Sequence, residues 1–463
     1  MFQGENESSD QDILDLVQLY ESVLKGKSKA FFDSEQFEEI IDFYFQKNDI
    51  KKAKSTIDYA MGYYPFASTI QLQKAQVLMF ENRFHAALKI TQRLLQTEPL
   101  NPDVHIMQGN IYDEMDQYAK AITAYEIALQ YESQKDDVYV HMAYTYENWE
   151  KYNEAIHALK AALIFNPENT HALNELAFCC DFANNTQDVL KFIEQFIDNN
   201  PYNYMAWYTM GIIHFREERF EEALYAFDYT IIINKEYVPA LLNMGNIHFY
   251  LEDYDKAIET FREILNLGDN DVFALSFLGN CFKCKDNFNE AKDYYQRALV
   301  IDPYYPDAWY GLGTVYQSLG LHKTAISHFE KALKTNNDDH SVWFAMADSY
   351  SELEETDEAI AAYHKALEFD PMNADYLKGY VLFLREHNNG KEAEDFMREV
   401  FQTDLEDVDL HLVMAGLLID SGKASEALFH MVEAREIEDD AKSIFLEMFP
   451  DHGDHYLIQE VFG

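Results

Sequence analysis

The chain has 463 residues and a formal net charge of −46 at pH 7, from 82 acidic and 36 basic side chains. A negative field of this size repels nucleic-acid phosphates and anionic lipid headgroups, so we expect no nucleic-acid partner. No run of about 18 apolar residues occurs, and residues 1–12 are polar and acidic. With only four cysteines, the sequence favours a cytoplasmic protein without a membrane-spanning segment or a disulfide framework.

The first predicted element is a helix over Asp10 to Leu24, within an N-terminal tail and cap of residues 1–33. Ser9 or Asp10 would be its N-cap, because a short polar side chain there can accept a hydrogen bond from a free backbone N–H. The repetitive part of the chain follows this cap.

From residue 34 to residue 441 the sequence repeats with a period of 34. One column is alanine in every unit except the one that carries Val189: Ala53, Ala87, Ala121, Ala155, Ala223, Ala257, Ala291, Ala325, Ala359, Ala393 and Ala427. A second column, twelve residues earlier, holds Gly109, Gly211, Gly245, Gly279 and Gly313, alanine in five other units, and Ile41 and Val381 as exceptions. A third, looser alanine column lies seven residues after the first, and a proline column lies five residues beyond that.

Each unit contains two amphipathic stretches of about 12–14 residues, with a short polar break between them such as Glu252–Asp253. A break this short predicts two antiparallel helices. A glycine inside a helix costs about 1 kcal/mol relative to alanine, so five glycines at one repeat position predict close packing there. The proline ends the second helix and precedes the next unit.

These columns resemble the tetratricopeptide repeat, whose 34-residue unit carries the same small–Ala–Ala–Pro pattern. The resemblance implies an all-α fold, a right-handed superhelical solenoid of helix-turn-helix repeats. Its units would be 34–67, 68–101, 102–135, 136–169, 170–203, 204–237, 238–271, 272–305, 306–339, 340–373, 374–407 and 408–441. Pentatricopeptide repeats have a similar length, but they bind RNA and would be expected to be basic. The composition, rich in Asn, Asp, Tyr and Phe, is similar to that of proteins from bacteria of the Bacteroidota.

After the last unit we expect a C-terminal capping segment, residues 442–463. Lys442 to Phe449 would begin a thirteenth unit that Pro450 stops, and Tyr456 to Phe462 would form a short docking helix. Repeats and caps then use every residue, which leaves no room for a catalytic domain, and we expect no enzymatic activity.

The strongest candidate for chemistry is the pair Cys281 and Cys284, which would share one side of a helix. Zinc would need two further ligands, whereas Cys179 and Cys180 lie three repeats away, about 25–30 Å at usual helix-packing distances. We interpret these cysteines as structural thiols and expect no bound metal and no cofactor. One histidine column, in which tyrosine is common, contains His214 and His248, and we interpret both as core residues.

In tetratricopeptide repeat proteins the first helix of each unit lines the concave face, where ligands usually bind. Apolar side chains occupy positions there that the family usually keeps polar: Met107, Tyr144, Phe178, Met205, Ile212, Phe273 and Phe277. Aromatic residues ordinary for the family flank them: Tyr208, Phe215, Phe249 and Tyr310. Asn243, Asn246 and Asn280 match the polar pattern and could bond a peptide backbone. The resemblance therefore suggests an apolar groove for a partner segment, and the alternative is that these side chains pack on one another.

The sequence favours a protein-protein interaction scaffold or adaptor that binds a protein or peptide in this groove. A chaperone-like receptor for apolar client segments, in secretion or assembly, is the alternative. A clamp for a terminal carboxylate is not expected, because Lys378 is the only cation at the positions that would need one. The acidic residues after position 403 form either a solvated face or a surface that steers a basic partner. The sequence fixes neither the partner nor the oligomeric state.

Overall fold

The computed structural model describes residues 3–183, 185–268, 271–387, 389–403 and 405–463, and these contain helices and no β-strand. The chain divides into two compact units, Met1–Ala240 (unit 1) and Leu241–Gly463 (unit 2). The helices of the first part are α1 (Gln3–Leu24), α2 (Ser34–Gln46), α3 (Ile50–Ala60), α4 (Ser68–Phe80), α5 (Phe84–Thr97), α6 (Pro102–Asp113), α7 (Tyr118–Ala128), α8 (Lys135–Asn148), α9 (Tyr152–Phe165), α10 (Thr170–Ala183), α11 (Thr186–Asn199), α12 (Tyr204–Arg216) and α13 (Phe220–Ile233).

Helix α14 (Val238–Tyr250) starts in the last residues of unit 1 and continues into unit 2. The helices after it are α15 (Tyr254–Leu267), α16 (Val272–Cys284), α17 (Phe288–Ile301), α18 (Pro306–Ser318), α19 (His322–Leu333), α20 (His340–Glu352), α21 (Thr356–Phe369), α22 (Ala374–Glu386), α23 (Gly390–Val400), α24 (Val408–Asp420), α25 (Ala424–Ile437), α26 (Ala441–Met448) and α27 (Tyr456–Phe462). A 3₁₀ turn, Pro450–His452, separates the last two.

From α2 to α25, even-numbered helices are the first helices of a repeat and odd-numbered helices are the second. Each first helix packs antiparallel against the second helix that follows it, as α8 does against α9 and α20 against α21. First helices begin at the first residue of each 34-residue period, except for α8, which begins one residue earlier. The all-helical array of helix-turn-helix repeats that the sequence predicts is confirmed.

Among the described residues, the turn between the two helices uses one residue in the left-handed backbone region in ten of the repeats. These residues are Asn48, Asn82, Asp116, Glu150, Glu218, Glu252, Asp286, Gly320, Glu354 and Gly422, with φ between 54° and 71°. They are spaced by 34 residues or by 68. At Glu252 the turn lets Asp253 N–H donate to the His248 carbonyl (2.9 Å), which gives one of the last carbonyls of α14 a partner.

Glu252→Gly should stabilise unit 2 by about 0.5–1 kcal/mol. A left-handed conformation costs an L-residue about 1–2 kcal/mol, and glycine avoids this cost although it loses more entropy on folding. Denaturant unfolding measures the change. The control is Glu259→Gly, the same replacement inside α15, which should destabilise by about 1 kcal/mol. Equal losses in both variants would contradict the prediction.

Small side chains mark the places where helices approach closely. Every member of the first alanine column, and Val189 in the same column, is 0% exposed. Each glycine of the second column lies under an aromatic ring sixteen residues later in the same repeat. A Cβ at these glycines would come within 2.3–2.6 Å of ring carbons of Tyr125, Phe227, Phe261, Tyr295 and Phe329. The glycines therefore give room to a buried ring, which is the close packing that the sequence predicted.

Three of these rings also contact the following repeat. Tyr125 stacks on His141 with ring centroids 6.0 Å apart, and Phe261 stacks on Phe277 at 5.2 Å, each with an interplanar angle of 12°. A Cβ on Gly311 would lie 2.3 Å from Cζ of Tyr295. Tyr125, Phe261 and Tyr295 therefore each join two neighbouring repeats.

The caps differ in part from the prediction. Helix α1 begins at Gln3, so Ser9 and Asp10 lie inside it and neither is its N-cap. At the other end, α26 closes before Pro450 and α27 spans the predicted docking helix. The α27 backbone is held by Arg435, whose guanidinium donates to the Val461 carbonyl at 2.7 Å.

Candidate functional site

The candidate binding residues lie on the first helices, whose side we call the first-helix face. In unit 1 helix α10 contacts both α8 and α12, and in unit 2 helix α16 contacts α18. These neighbouring first helices therefore lie side by side. The side chains on the first-helix face differ in how far they are exposed, and that difference decides which of them can meet a partner.

In unit 1 two phenylalanines project from α10 into solvent. Phe178 is 42% exposed and Phe182, one turn later, is 52% exposed, with ring centroids 5.0 Å apart. Phe182 also stacks on Tyr152 of α9 at 4.8 Å. We call Phe178, Phe182 and Tyr152 the α10 aromatic cluster. Sequence reasoning found Phe178 and missed the other two, although the i, i+4 spacing of the phenylalanines was a readable signal.

The other candidates of unit 1 are less accessible. Met205 is 4% exposed and belongs to the hydrophobic core, so its assignment to an open groove is wrong. Tyr208 is half-buried between Phe227 (5.7 Å) and Tyr237 (5.0 Å). Met107, Tyr144, Ile212 and Phe215 are also half-buried. In this unit, most of the predicted groove residues pack on neighbouring side chains. The α10 aromatic cluster is exposed instead.

In unit 2 the packing interpretation applies to Phe277. Its ring stacks on the buried Phe261 and meets the edge of Phe249 at 6.2 Å, so it helps to join two repeats. Phe249 itself contacts Tyr254 (5.6 Å), and Tyr310 contacts the buried Phe329 (5.8 Å). These aromatic residues support the fold.

Phe273 and the three asparagines complete the predicted site in unit 2. Phe273 is 55% exposed and meets the edge of the Tyr305 ring at 5.7 Å. The Asn280 side-chain carbonyl accepts a hydrogen bond from Tyr295 at 2.6 Å, so its acceptor serves the core rather than a peptide. Asn243 and Asn246 are half-buried, and the Asn246 carbonyl oxygen is buried with no hydrogen-bond partner in the described residues.

Two carboxylates lie beside the α10 aromatic cluster and were not found from the sequence. Glu147 of α8 accepts a hydrogen bond from the Cys179 thiol at 3.2 Å, and burial raises the pKa of Glu147 to about 7. Burial also raises the pKa of Glu175 on α10, which bonds the Tyr144 hydroxyl. Their signal in the sequence was weak, because glutamate is common throughout this acidic chain.

All four cysteines are free thiols. Cys179, Cys180 and Cys281 are buried, and Cys284 is exposed. Burial raises the pKa of the Cys281 thiol to about 12, which favours the uncharged form. Within the described ranges no three His, Cys, Asp or Glu side chains lie together as a metal site would require.

Two further predictions concern the histidine column and Lys378, the cation considered for a carboxylate clamp. His214 is 8% exposed, as expected of a core residue, whereas His248 is half-buried. Lys378 Nζ contacts carboxylate oxygens of Asp409 (2.6 Å) and Asp375 (3.0 Å), so its charge is already used within the fold.

Antiparallel helix pairs, stacked with small residues at their crossings, define the class of helical repeat proteins. Tetratricopeptide repeat families match residues 102–135, 136–169, 236–303 and 304–371, and the YpiA-like C-terminal tetratricopeptide repeat family matches residues 341–407. The chain belongs to the tetratricopeptide repeat family. Repeats of this kind generally serve as protein-interaction scaffolds and are typically not enzymes.

Solved structures with similar folds include a crystal structure of MamA, 28% identical, which covers 36% of this chain and 98% of its own, with a TM-score of 0.32. Another, of the MamA protein, is 26% identical, covers 37% and 94%, and has the same TM-score. The APC/C hetero-tetramer Cut9-Hcn1 is 15% identical, covers 96% and 95%, and has a TM-score of 0.42. No curated protein matches the chain. Among the described residues, no helix has the length and apolar character needed to span a membrane.

Proposed function

We propose that the protein is an interaction scaffold that binds a segment of a partner protein on the first-helix face of unit 1, at the α10 aromatic cluster. The observation that carries this proposal is the exposure of Phe178 and Phe182, which contact each other one turn apart on α10 while Phe182 also stacks on Tyr152. Large apolar side chains grouped on a surface are typical of interaction sites.

The cluster is a better candidate than the aromatic residues of unit 2. Phe277 packs on Phe261 of the preceding repeat, whereas Phe178 contacts Phe182 on its own helix. A partner can therefore cover Phe178 without disturbing a junction between repeats, and it can cover the exposed half of Phe182 while that ring stays stacked on Tyr152 of the preceding repeat. Aromatic anchors that become buried in an interface contribute about 2 kcal/mol or more, roughly 30-fold in affinity.

Phe178→Ser combined with Phe182→Ser should reduce capture of the main partner by about 30-fold or more. The melting temperature should fall only slightly, because the lost contact with the preceding repeat, between Phe182 and Tyr152, lies at the surface. Affinity capture from the native source with quantitative mass spectrometry identifies the partner, and titration of the purified partner gives the affinity. Ile164→Ser with Ile232→Ser is the matched control. Both isoleucines lie on second helices of unit 1 and are 73% and 68% exposed.

The proposal fails if both double variants lose the partner equally, or if the phenylalanine variant loses it only in proportion to lost folded protein. Capture of one stoichiometric partner would support a scaffold. Capture of many unrelated apolar segments, lost in the same variant, would instead support the chaperone-like receptor.

A further inference from the structure

Glu147 and Glu175 are half-buried carboxylates without a Lys or Arg partner, as Asp113 and Asp348 also are, but they lie close enough together for Glu175 to raise the pKa of Glu147. In the part of the chain that the structure describes, no Lys or Arg lies within ion-pair distance of either one. Buried Glu394, by contrast, pairs with Arg398 (2.8 Å) and Lys423 (2.5 Å), and Glu21 pairs with Lys52 (2.7 Å). Partly desolvated carboxylates without a counter-charge are costly, so this pair is poised to accept a cation from outside.

The surroundings of the two carboxylates fit one kind of cation. Tyr144, which bonds Glu175, stands one repeat before Phe178, so aromatic rings and carboxylates share the α8–α10 part of the first-helix face. Aromatic faces attract cationic side chains and also bury their aliphatic stems. A lysine or arginine next to an apolar residue could satisfy both the carboxylates and the rings.

We infer that the partner segment bound at the α10 aromatic cluster is basic and apolar, and that a Lys or Arg of this segment is held by Glu147 and Glu175 while neighbouring apolar side chains cover Phe178 and Phe182. This inference rests on the proposed function and adds the chemistry of the partner. The negative charge of the whole chain favours the approach of such a segment but does not select the site, so the carboxylate pair must supply the specificity.

Binding of the cation should release a proton. The ionisable groups that face Glu147 are the Cys179 thiol and Glu175 on α10, and those that face Glu175 are Tyr144 on α8 and His171 on its own helix. Since the pKa of Glu147 is about 7, its carboxyl is about half protonated at neutral pH. A bound cation lowers that pKa, so affinity should rise as pH increases from about 6 to 8.

The first test uses a display library of random peptides of about twelve residues, selected on the immobilised full chain. Selection should enrich Lys or Arg beside Leu, Met or Phe. Glu147→Gln with Glu175→Gln should remove this enrichment and weaken the most enriched peptide by about 10-fold or more. The control pair, Glu221→Gln with Glu222→Gln, removes the same charge from exposed residues in the first turn of α13 and should change the affinity less than about 2-fold.

The second test measures proton release when the enriched peptide binds to the unmodified chain, by calorimetry in two buffers of different ionisation enthalpy. We expect release of about half a proton at pH 7 and little at pH 9, where Glu147 is already ionised. This measurement does not depend on how the variants fold.

Enriched peptides without a cation, absence of proton release, or equal weakening by the control pair would overturn the inference. If the enriched peptides still need Phe178 and Phe182 for binding in that case, the proposed function stands and only the basic character of the partner is lost. Peptides that bind independently of these two phenylalanines would overturn the proposed site itself.

Discussion

Gly245→Ala should destabilise unit 2 by about 2 kcal/mol, although alanine is the better helix former by about 1 kcal/mol. The added Cβ would lie 2.6 Å from Cε1 and Cζ of Phe261, a ring that is 0% exposed. The ring has little room to move, because it is fully buried and Phe277 stacks on it with ring centroids 5.2 Å apart. Overpacking of this kind typically costs about 1–3 kcal/mol, and here it must also offset the gain in helix propensity.

Denaturant unfolding followed by circular dichroism measures this effect. Gly390→Ala is the control, because a Cβ there meets no atom within 4 Å, and it should be neutral or slightly stabilising. Combining Gly245→Ala with Phe261→Leu should cost less than the sum of the two single changes, because leucine leaves room for the methyl group. An additive result would show that the glycine and the ring are not in contact.

Acidification from pH 7 to pH 5 should remove about 2 kcal/mol of stability from the C-terminal repeats through His430. Its ring lies against Phe401 and His411, with Nδ1 atoms of the two histidines 3.1 Å apart. Burial, with smaller contributions from His411 and Arg398, lowers the pKa of His430 to about 4. Because the unfolded chain then binds more protons below about pH 6.5, the stabilisation is present above that pH and is lost as the pH falls towards 4.

His430→Phe removes the titrating group and keeps an aromatic ring against Phe401. The difference in unfolding free energy between this variant and the unmodified chain should therefore change by about 2 kcal/mol between pH 7 and pH 5. Carboxylates of raised pKa elsewhere, such as Asp348, shift stability with pH in the opposite direction. Their contribution is the same in both proteins, so it cancels when the two are compared at each pH. A constant difference across this range would contradict the assignment.

The repeat pattern was sufficient to predict the fold, because each unit needs small side chains at the same close helix crossings. A buried alanine such as Ala257 leaves no room for a larger side chain, and the same requirement returns every 34 residues. The left-handed turn residue was not predicted, since Asn, Asp, Glu and Gly all occupy it and no single residue type marks the position. The start of α1 was missed for a similar reason, as its first turns carry polar residues without a helical apolar pattern.

The candidate site was predicted only in part, because residue type and the usual polarity of a repeat position do not determine exposure. Phe178 and Phe277 are both phenylalanines at usually polar positions, yet one is exposed on α10 and the other stacks on Phe261. The role suggested here for Glu147 depends on burial and on the absence of a nearby cation, and neither property can be read from the sequence.

The pairing of each glycine with a ring sixteen residues later also bears on how such a chain can change its length over evolution. Both partners belong to one repeat, so a genetic exchange that moves a whole 34-residue unit carries the pair intact. An exchange within a unit could leave a glycine without its ring. Duplications and losses compatible with folding should therefore have breakpoints between repeats, where a proline-containing loop rather than a matched pair of side chains is cut.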